Sequence, residues 1–408
     1  MPTATVTQLP VAVRAQFANI VHVYDSKIYN IEIAVNAVRV VDVTDKTAQE
    51  ISTGRSSDVS ECVRIIDVKR KTNSTVVVRV LYVSSGVVHI VRYEIDLSAM
   101  TVTVTEETSY NLTWISSFEE INHSAVIPPY LWVAPNKEDS YLHYVNIDDG
   151  DDVSFDTGLE GYFARPSTKY VALNDDIYMM LGKHLAGDQV YLLKLYSKSV
   201  TGTGVIAGGG SPRPQIGSIA LFYNDVIFPC GWGGVSGSDN DIALFDHRMN
   251  HLGTMDLSAL TGWNDVDTMP GFTILAKKTD GNYYALLAVR HSSGAPSQEG
   301  RLYWLEIQRD GSVVSSSLLH SFATESYFNM QIKSENSDRT CVPVVDLKSK
   351  KVYATAWDVE GTDKGWLVEI DVSDVWNNIA EWNRALWFIT PALGLKIPTT
   401  LTLSITPL

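Results

Sequence analysis

The chain has 408 residues, 45% hydrophobic and 19% charged, too apolar and aromatic for a disordered polypeptide and ordinary for a folded one. Its 32 Lys and Arg stand against 47 Asp and Glu, a net charge of −15, which repels a phosphate backbone and argues against nucleic acid as a partner. Three cysteines, Cys62, Cys230 and Cys341, lie far apart without a CxxC pair, so they read as small buried hydrophobes rather than as a disulfide framework or zinc site.

Met1 to Pro10 has neither the basic nor the apolar stretch of a signal peptide, so synthesis in a cytosol is expected, with later release, for example inside an assembled particle, left open. Thr3 to Leu9 alternates and is a candidate strand for closing the last unit of the chain. From Phe17 the pattern becomes strand and turn. Phe17 to Val23, Ile28 to Val35, Ala37 to Val43 and a short strand near Glu50 form a first unit, in which Arg39 interrupts the apolar face. Cys62 to Val68, Thr75 to Val83, Val87 to Asp96 and Thr101 to Glu106 form a second, with Val87, Val91, Tyr93 and Ile95 on one face. Between its first two strands Lys69-Arg70-Lys71 reads as a solvated hairpin turn.

A third unit has strands at Tyr130 to Val133, Tyr141 to Ile147 and Val153 to Phe155, and its innermost strand lies somewhere in Asn111 to Ile127. The fourth runs through Tyr170 to Leu173, Ile177 to Leu181, Val190 to Leu195 and Gly202 to Ile206. The fifth has Ser218 to Tyr223, Val226 to Cys230, Ile242 to Phe245 and Leu252 to Leu257. In the sixth, Asp280-Gly281 separates Phe272 to Ala276 from Tyr283 to Val289, and Asp310-Gly311 separates Leu302 to Ile307 from Val313 to Leu318. Asp-Gly suits the positive φ of tight hairpins. Thr340 to Val345, Lys351 to Trp357 and Trp366 to Ile370 make the seventh. Ser373 as N-cap, with Val375, Ile379, Trp382 and Leu386 at spacings of 4, 3 and 4, then predicts a short helix.

The third strands are copies of one motif, an apolar alternation ending at Val41, Ile95, Ile147, Leu195, Phe245, Ile307 and Ile370, at spacings of 54, 52, 48, 50, 62 and 63 residues. Five of the seven are followed directly by aspartate, which ends a strand by bonding its own backbone into a turn. Strand-turn-strand units of this length, with almost no helix, resemble the blades of a seven-bladed β-propeller, an all-β ring of four-stranded antiparallel blades. No WD dipeptide, kelch signature or Asp box carries the resemblance further. It implies one domain over 1–408, with blades near 11–56, 57–108, 109–158, 159–208, 209–258, 259–321 and 322–390, and an extended arm over 391–408. It also implies a central channel with ligand sites at its mouth.

Recognisable catalytic motifs, G-x-S-x-G, H-E-x-x-H, a P-loop and an EF-hand, are missing from the sequence. Gly202-Thr203-Gly204 opens a loose dinucleotide pattern between strands, where no helix follows to receive a phosphate. His247 and His251 read as a surface pair, and the sequons at Asn73, Asn111 and Asn122 as chance matches. Asp148, Asp149, Asp151 and Asp152 gather oxygen donors around Gly150 and could bind Ca²⁺, but they lack the spaced ligand order of a known loop, and a solvated hairpin is the preferred reading; no other cofactor is expected.

The blade-joining segments carry the candidate ligand groups. Trp263, Asp265 and Asp267 pair an aromatic plane with carboxylates, a combination that suits sugars, and His123, Arg165 and Arg213 stand in comparable segments. For Trp263 the competing reading is a plug between blades. The apolar segment 385–408 contains Pro391, Pro398 and Pro407, which disfavour a membrane helix, so Pro398 to Leu408 is expected to be an extended arm that pairs with an edge of its own last blade or of another protein. These features favour a non-enzymatic structural component of a larger assembly that binds a receptor or glycan, of the virion or tail kind. The alternative is a glycosidase or lyase using channel-mouth carboxylates.

Overall fold

The computed structural model describes residues 1–10, 18–55, 63–84, 87–112, 124–133, 141–158, 162–164, 170–173, 176–184, 189–202, 213–216, 219–233, 241–262, 266–267, 271–291, 300–321, 328–329, 343–358, 365–389 and 402–403. Among them seven sheets form in chain order. The first comprises Ala18–Tyr24, Lys27–Ile33, Ala37–Asp42 and Thr47–Ser52, and the second Arg64–Arg70, Thr75–Ser84, Val87–Asp96 and Thr101–Asn111. The third comprises Ser124–Ile127, Tyr130–Val133, Tyr141–Asn146 and Asp152–Asp156. Each is an antiparallel meander whose first strand faces the channel and whose last faces the rim.

The remaining four sheets share a modified inner strand, because two short pieces pair with one long second strand. In the fourth, Tyr162–Ala164 and Tyr170–Leu173 both pair with Asp176–His184, followed by Gln189–Lys194 and Ser199–Gly202. In the fifth, Arg213–Ile216 and Ala220–Phe222 pair with Asp225–Gly233, followed by Asp241–Asp246 and His251–Asp256. The sixth places Val266–Asp267 and Phe272–Lys278 on Tyr283–His291, followed by Gly300–Ile307 and Val313–Ser321. In the seventh, Phe328–Asn329 and Val344–Asp346 lie on Lys351–Asp358, followed by Gly365–Asp371.

The fold is therefore a β-propeller of four-stranded blades, with a correction to its number. Six blades are counted rather than the seven expected, although seven sheets are hydrogen-bonded. The repeated motif marks third strands, and each marks a sheet. It carries no information on the inner strand of that sheet, which in the last four is described as two short pieces.

The ring closes through the N-terminal strand. Thr3–Leu9 pairs antiparallel with Gly365–Asp371, from Thr3 opposite Asp371 to Leu9 opposite Gly365, and the terminal ammonium reaches Asp374 at 3.0 Å. Apolar side chains leave that third strand on both faces, and its one internal charge, Glu369, is paired with Lys351 at 2.8 Å. Trp366, Val368 and Ile370 enter a core shared with the sixth sheet, while Leu367, with Leu9 of the closing strand, enters one shared with Val21, Ile28 and Val41 of the first sheet. Similar cores join the first sheet to the second, the second to the third and the fifth to the sixth. Full burial of such side chains contributes about 1.5–3 kcal/mol each relative to exposure.

Arg39, which interrupts the first motif copy, sits in a cross-strand row: its Nε donates to Glu50 at 2.8 Å and its Nη1 to Glu32 at 3.5 Å. Glu32 itself is fully buried. The aspartates perform the turn role read from sequence at four of the five positions. Asp42, Asp96, Asp246 and Asp371 accept main-chain N–H bonds from residues two to four positions on. At the third copy Asn146 takes that role, accepting from the Asp148 N–H at 3.0 Å.

The predicted helix after Ser373 is overturned. Only Trp376–Asn378 forms a helical turn, of the 3-10 type, and Ile379–Trp382 is a strand on the sixth sheet. Val375, Ile379, Trp382 and Leu386 still bury against one core; an unpaired inner sheet edge captured a segment whose apolar spacing also fitted a helix. The one α-helix among the described residues, Leu257–Thr261, follows the fifth sheet, capped by Asp256 and by Gly262 at φ 70°.

Candidate functional site: the two mouths of the channel

The chain after its last blade runs back along the inner edges of the sheets. Ile379–Trp382 pairs with the end of Phe272–Lys278, placing Trp382 opposite Ala276 and Glu381 opposite Lys277. Trp387–Ile389 pairs in parallel with Val344–Asp346 of the seventh sheet. Thr402–Leu403 pairs in parallel with Ala172–Leu173 of the fourth.

Asn383 ties this strap to the fifth and sixth sheets at once. Its side chain is fully buried, with Oδ1 accepting from the Leu221 N–H at 2.9 Å and Nδ2 donating to the Ile274 carbonyl at 2.7 Å and the Ile219 carbonyl at 3.3 Å. Its main-chain N–H donates to the Leu275 carbonyl at 2.8 Å, and the Arg384 N–H to the Leu221 carbonyl at 2.8 Å. Glu381 accepts from the Tyr223 N–H at 2.8 Å and pairs with Arg384 at 3.0 Å, whose guanidinium lies over the Tyr223 ring. Trp376 and Trp382 pack at 5.4 Å. An asparagine suits this place because it offers a neutral acceptor and two donors at once, and buried main-chain groups on both sides demand both.

All these contacts fall where first strands end and turn into second strands. The strap therefore lines one mouth of the channel. At the opposite end, where first strands begin, the described residues are the short upper pieces that pair with the second strands of the last four sheets.

Of the sequence-predicted ligand residues, Arg213 and Asp267 fall among the described residues. Arg213 starts the upper piece of the fifth sheet, opposite Gly233. Asp267 ends the corresponding piece of the sixth, opposite Arg290. Both therefore stand on short inner-edge pieces of neighbouring sheets, one at the start of its piece and the other at the end. His123, Arg165, Trp263 and Asp265 lie outside the described residues, as do Cys62 and Cys341, while Cys230 is buried.

The acidic turn is built as a hairpin. The Asp149 carboxylate accepts from the Asp151 N–H at 3.0 Å and from Asn146 Nδ2 at 3.2 Å, and Asp148 faces Arg79 at 3.5 Å. Gly150 adopts φ 80° against the Tyr110 ring. The carboxylates of Asp148, Asp149 and Asp151 are not gathered on one point, and no group of three metal-ligating side chains converges among the described residues. His251 is occupied with Thr254 at 3.0 Å and does not join His247. No helix among the described residues is long and apolar enough to cross a membrane.

Two polar clusters escaped the sequence reading. Asp225 receives both Nε and Nη2 of Arg309, at 2.9 and 2.8 Å, and the Tyr283 hydroxyl at 2.6 Å. Burial alone would raise the Asp225 carboxyl, but the hydrogen bonds from Arg309 and Tyr283 outweigh it and hold the group below its ordinary value. The second cluster joins the third and fourth sheets: Lys198 Nζ donates to the Tyr144 hydroxyl at 3.1 Å, and Tyr144 stacks on Trp132 at 4.8 Å. Both are clamps between sheets, assembled from residues far apart in sequence, and no local motif could have announced them.

No family model matches the chain, and no curated protein matches it. Among solved structures it is similar to YCF48 bound to D1 peptide, with a TM-score of 0.46 and 10% identity over 90% of this chain and 94% of that one. It is also similar to the WD40 domain of SCAP from fission yeast, with a TM-score of 0.36 and 10% identity over 90% and 98% of the two chains. A mutant of the Synechocystis apocarotenoid oxygenase gives a TM-score of 0.40 and 8% identity over 73% and 71%. A peptide-bound protein and an oxygenase stand side by side here, so the likeness separates no function.

Proposed function

We propose that this chain is a non-enzymatic, partner-binding β-propeller that presents its blade-joining mouth to a protein or glycan, as a structural or receptor-binding component of a larger assembly such as a virion or tail. The observation that carries the reading is the strap. Residues 379–389 and 402–403 are committed to the inner edges at one mouth, and among the described residues no such strap lies at the other, which is the face the proposal gives to a partner. A ring closed by its own N-terminal strand and laced again from within is a rigid platform, suited to holding a binding surface in fixed geometry. The C-terminal arm enters the proposal only with residues 391–401 and 404–408, because Thr402–Leu403 is paired with its own fourth sheet and the last-blade edge is taken by Thr3–Leu9.

The alternative, a carbohydrate-active enzyme, draws support from Asp267 standing on an inner-edge strand; a glycosidase there would need a second carboxylate at a defined separation. Glycan and protein-ligand binding on the full chain, run beside a hydrolysis screen, separates the two. The proposal expects binding without turnover, weakened by Trp263→Ala or Arg213→Ala. Turnover that Asp265→Asn with Asp267→Asn abolishes would replace it with the enzyme. Ligands that bind equally well to the Trp263 and Arg213 variants would remove the mouth from the proposal.

A further inference from the structure

The outer rim carries an interaction surface of its own. Outer strands leave one row of main-chain N–H and C=O groups unpaired, and proteins ordinarily guard such edges with charge. Most outer strands of this ring are guarded. Thr47–Ser52 carries Glu50, Thr101–Asn111 carries Glu106 and Glu107, Asp152–Asp156 has an aspartate at each end, and His251–Asp256 ends in one.

Val313–Ser321, the outer strand of the sixth sheet, is different. It is nine residues long and reads VVSSSLLHS, with no carboxylate, lysine, arginine or proline. Val313, Val314 and Leu318 are 38%, 49% and 50% exposed, three of the few large apolar side chains open to solvent among the described residues. Leu319, by contrast, is turned into the core between the sixth and seventh sheets, so the exposed residues are not needed to hold the strand down. Irregularities in the pairing with Gly300–Ile307 flank a regular stretch, in which Ser315 to Leu318 stand opposite Glu306 to Tyr303.

We infer that this edge pairs antiparallel with the same edge of a second copy of the chain, across a twofold axis within Ser315–Leu318. The identity of the occupant follows from charge. In an isologous contact each side chain meets its own copy or a close neighbour of it, and like charges opposite one another across strands are destabilising. With a formal net charge of −15, two copies repel at most orientations, and the acid-bearing edges repel themselves directly. Val313–Ser321 can meet itself without juxtaposing a charge. The two other uncharged outer strands offer less: Ser199–Gly202 is four residues long, and Thr3–Leu9 presents threonines and Gln8 outward, with no large apolar side chain among its exposed residues. Pairing two copies of Val313–Ser321 makes one sheet continuous through both rings and covers Val314 and Leu318. The contact is separate from both mouths, so it stands or falls independently of the proposed ligand face.

Sedimentation velocity over a concentration series tests the inference, comparing the unmodified chain with Val314→Lys, Leu318→Lys and the double variant. These positions are exposed, so near-native circular dichroism is expected for each. The expected result is a reversible doubling of mass in the unmodified chain, strengthened by added salt because the contact is uncharged while the approaching bodies repel. Each single lysine should weaken association at least tenfold, and the double variant should remain monomeric. A Thr103→Lys control on the exposed outer strand of the second sheet should associate as the unmodified chain does. A monomer at every concentration, or a dimer that survives the double substitution, would overturn the inference. An association weakened by salt would overturn it equally.

Discussion

Replacing Asn383 by alanine should remove more stability than any surface truncation, for reasons that can be counted. The side chain is fully buried, and its two short bonds reach the Leu221 N–H at 2.9 Å and the Ile274 carbonyl at 2.7 Å. Alanine supplies neither donor nor acceptor. Leu221 and Ile274 are themselves buried, so both main-chain groups lose their partner in the interior. An orphaned buried group costs about 1–3 kcal/mol, which gives roughly 2–6 kcal/mol for the two. Water admitted from the channel offsets part of this, so about 3 kcal/mol is the working expectation. Asn383→Asp keeps the acceptor but turns a donor into a second anionic oxygen facing the Ile219 and Ile274 carbonyls, and should cost at least as much. Urea unfolding followed by circular dichroism and by tryptophan fluorescence reads the effect, provided the two transitions coincide. A loss below about 1 kcal/mol for both variants would mean that the strap is not a packed part of the ring, and the reasoning would fail.

Three further outcomes follow from the same structure. The Asp225 carboxyl is held below 3.8 by Arg309 and Tyr283 against the effect of burial, so its contribution is present above about pH 4 and lost as pH falls through the folded value; Asp225→Asn should lower the urea midpoint at neutral pH and flatten its decline in acid, and an unchanged acid slope would contradict this. His22 is pushed below 6.5 by burial, against a hydrogen bond to the Asn73 carbonyl and with Arg70 adding to the fall. The unfolded chain therefore takes up a proton first as pH drops, and stability present above about 6.5 is lost below it; His22→Gln should reduce the fall in melting temperature between about pH 7 and pH 5. Gly253→Ala would put a Cβ 2.1 Å from the Asp310 carbonyl oxygen, a clash between backbones of the fifth and sixth sheets that should cost about 3 kcal/mol or prevent folding, whereas Gly54→Ala, with no neighbour within 4 Å but a φ of 74°, should cost only about 1 kcal/mol; equal effects at the two sites would count against the tight contact.

What was legible in the sequence follows from how local each signal is. A third strand buried on both faces and stopped by a side-chain-bonded aspartate writes its whole pattern within about seven residues, so Trp366 to Asp371 and its copies could be aligned and every unit found a sheet. The alternation of Thr3 to Leu9 likewise announced the closing strand. The split inner strands were hidden because their upper pieces are two to four residues long, below any period that can be counted. Residues 379–386 misled for a different reason. Their apolar spacing fits a helix in isolation, and the deciding term, an inner edge of the sixth sheet waiting for a partner, is more than a hundred residues away in the chain. The clamps at Asp225 and at Tyr144 are invisible for the same reason, since Arg309 lies 84 positions from Asp225 and Lys198 lies 54 from Tyr144. Of the ligand residues, the sequence placed Arg213 and Asp267 in blade-joining segments, whereas both stand on short inner-edge strands that only the pairing with distant second strands defines.

Hydrogen exchange read by mass spectrometry on the full chain tests the central claim most directly, because it asks whether the strap is part of the channel wall. In this structure Ile379–Trp382 pairs with the sixth sheet, the Asn383 and Arg384 N–H groups donate to the Leu275 and Leu221 carbonyls, and the Ala385 and Leu386 N–H groups donate to Asn383. Peptides covering them should therefore be protected to the same degree as the inner strand Phe272–Lys278 and should lose that protection together with it as urea is raised. Complete exchange of the 376–389 peptides at the earliest time, while Phe272–Lys278 stays protected, would mean an open mouth and would contradict the account.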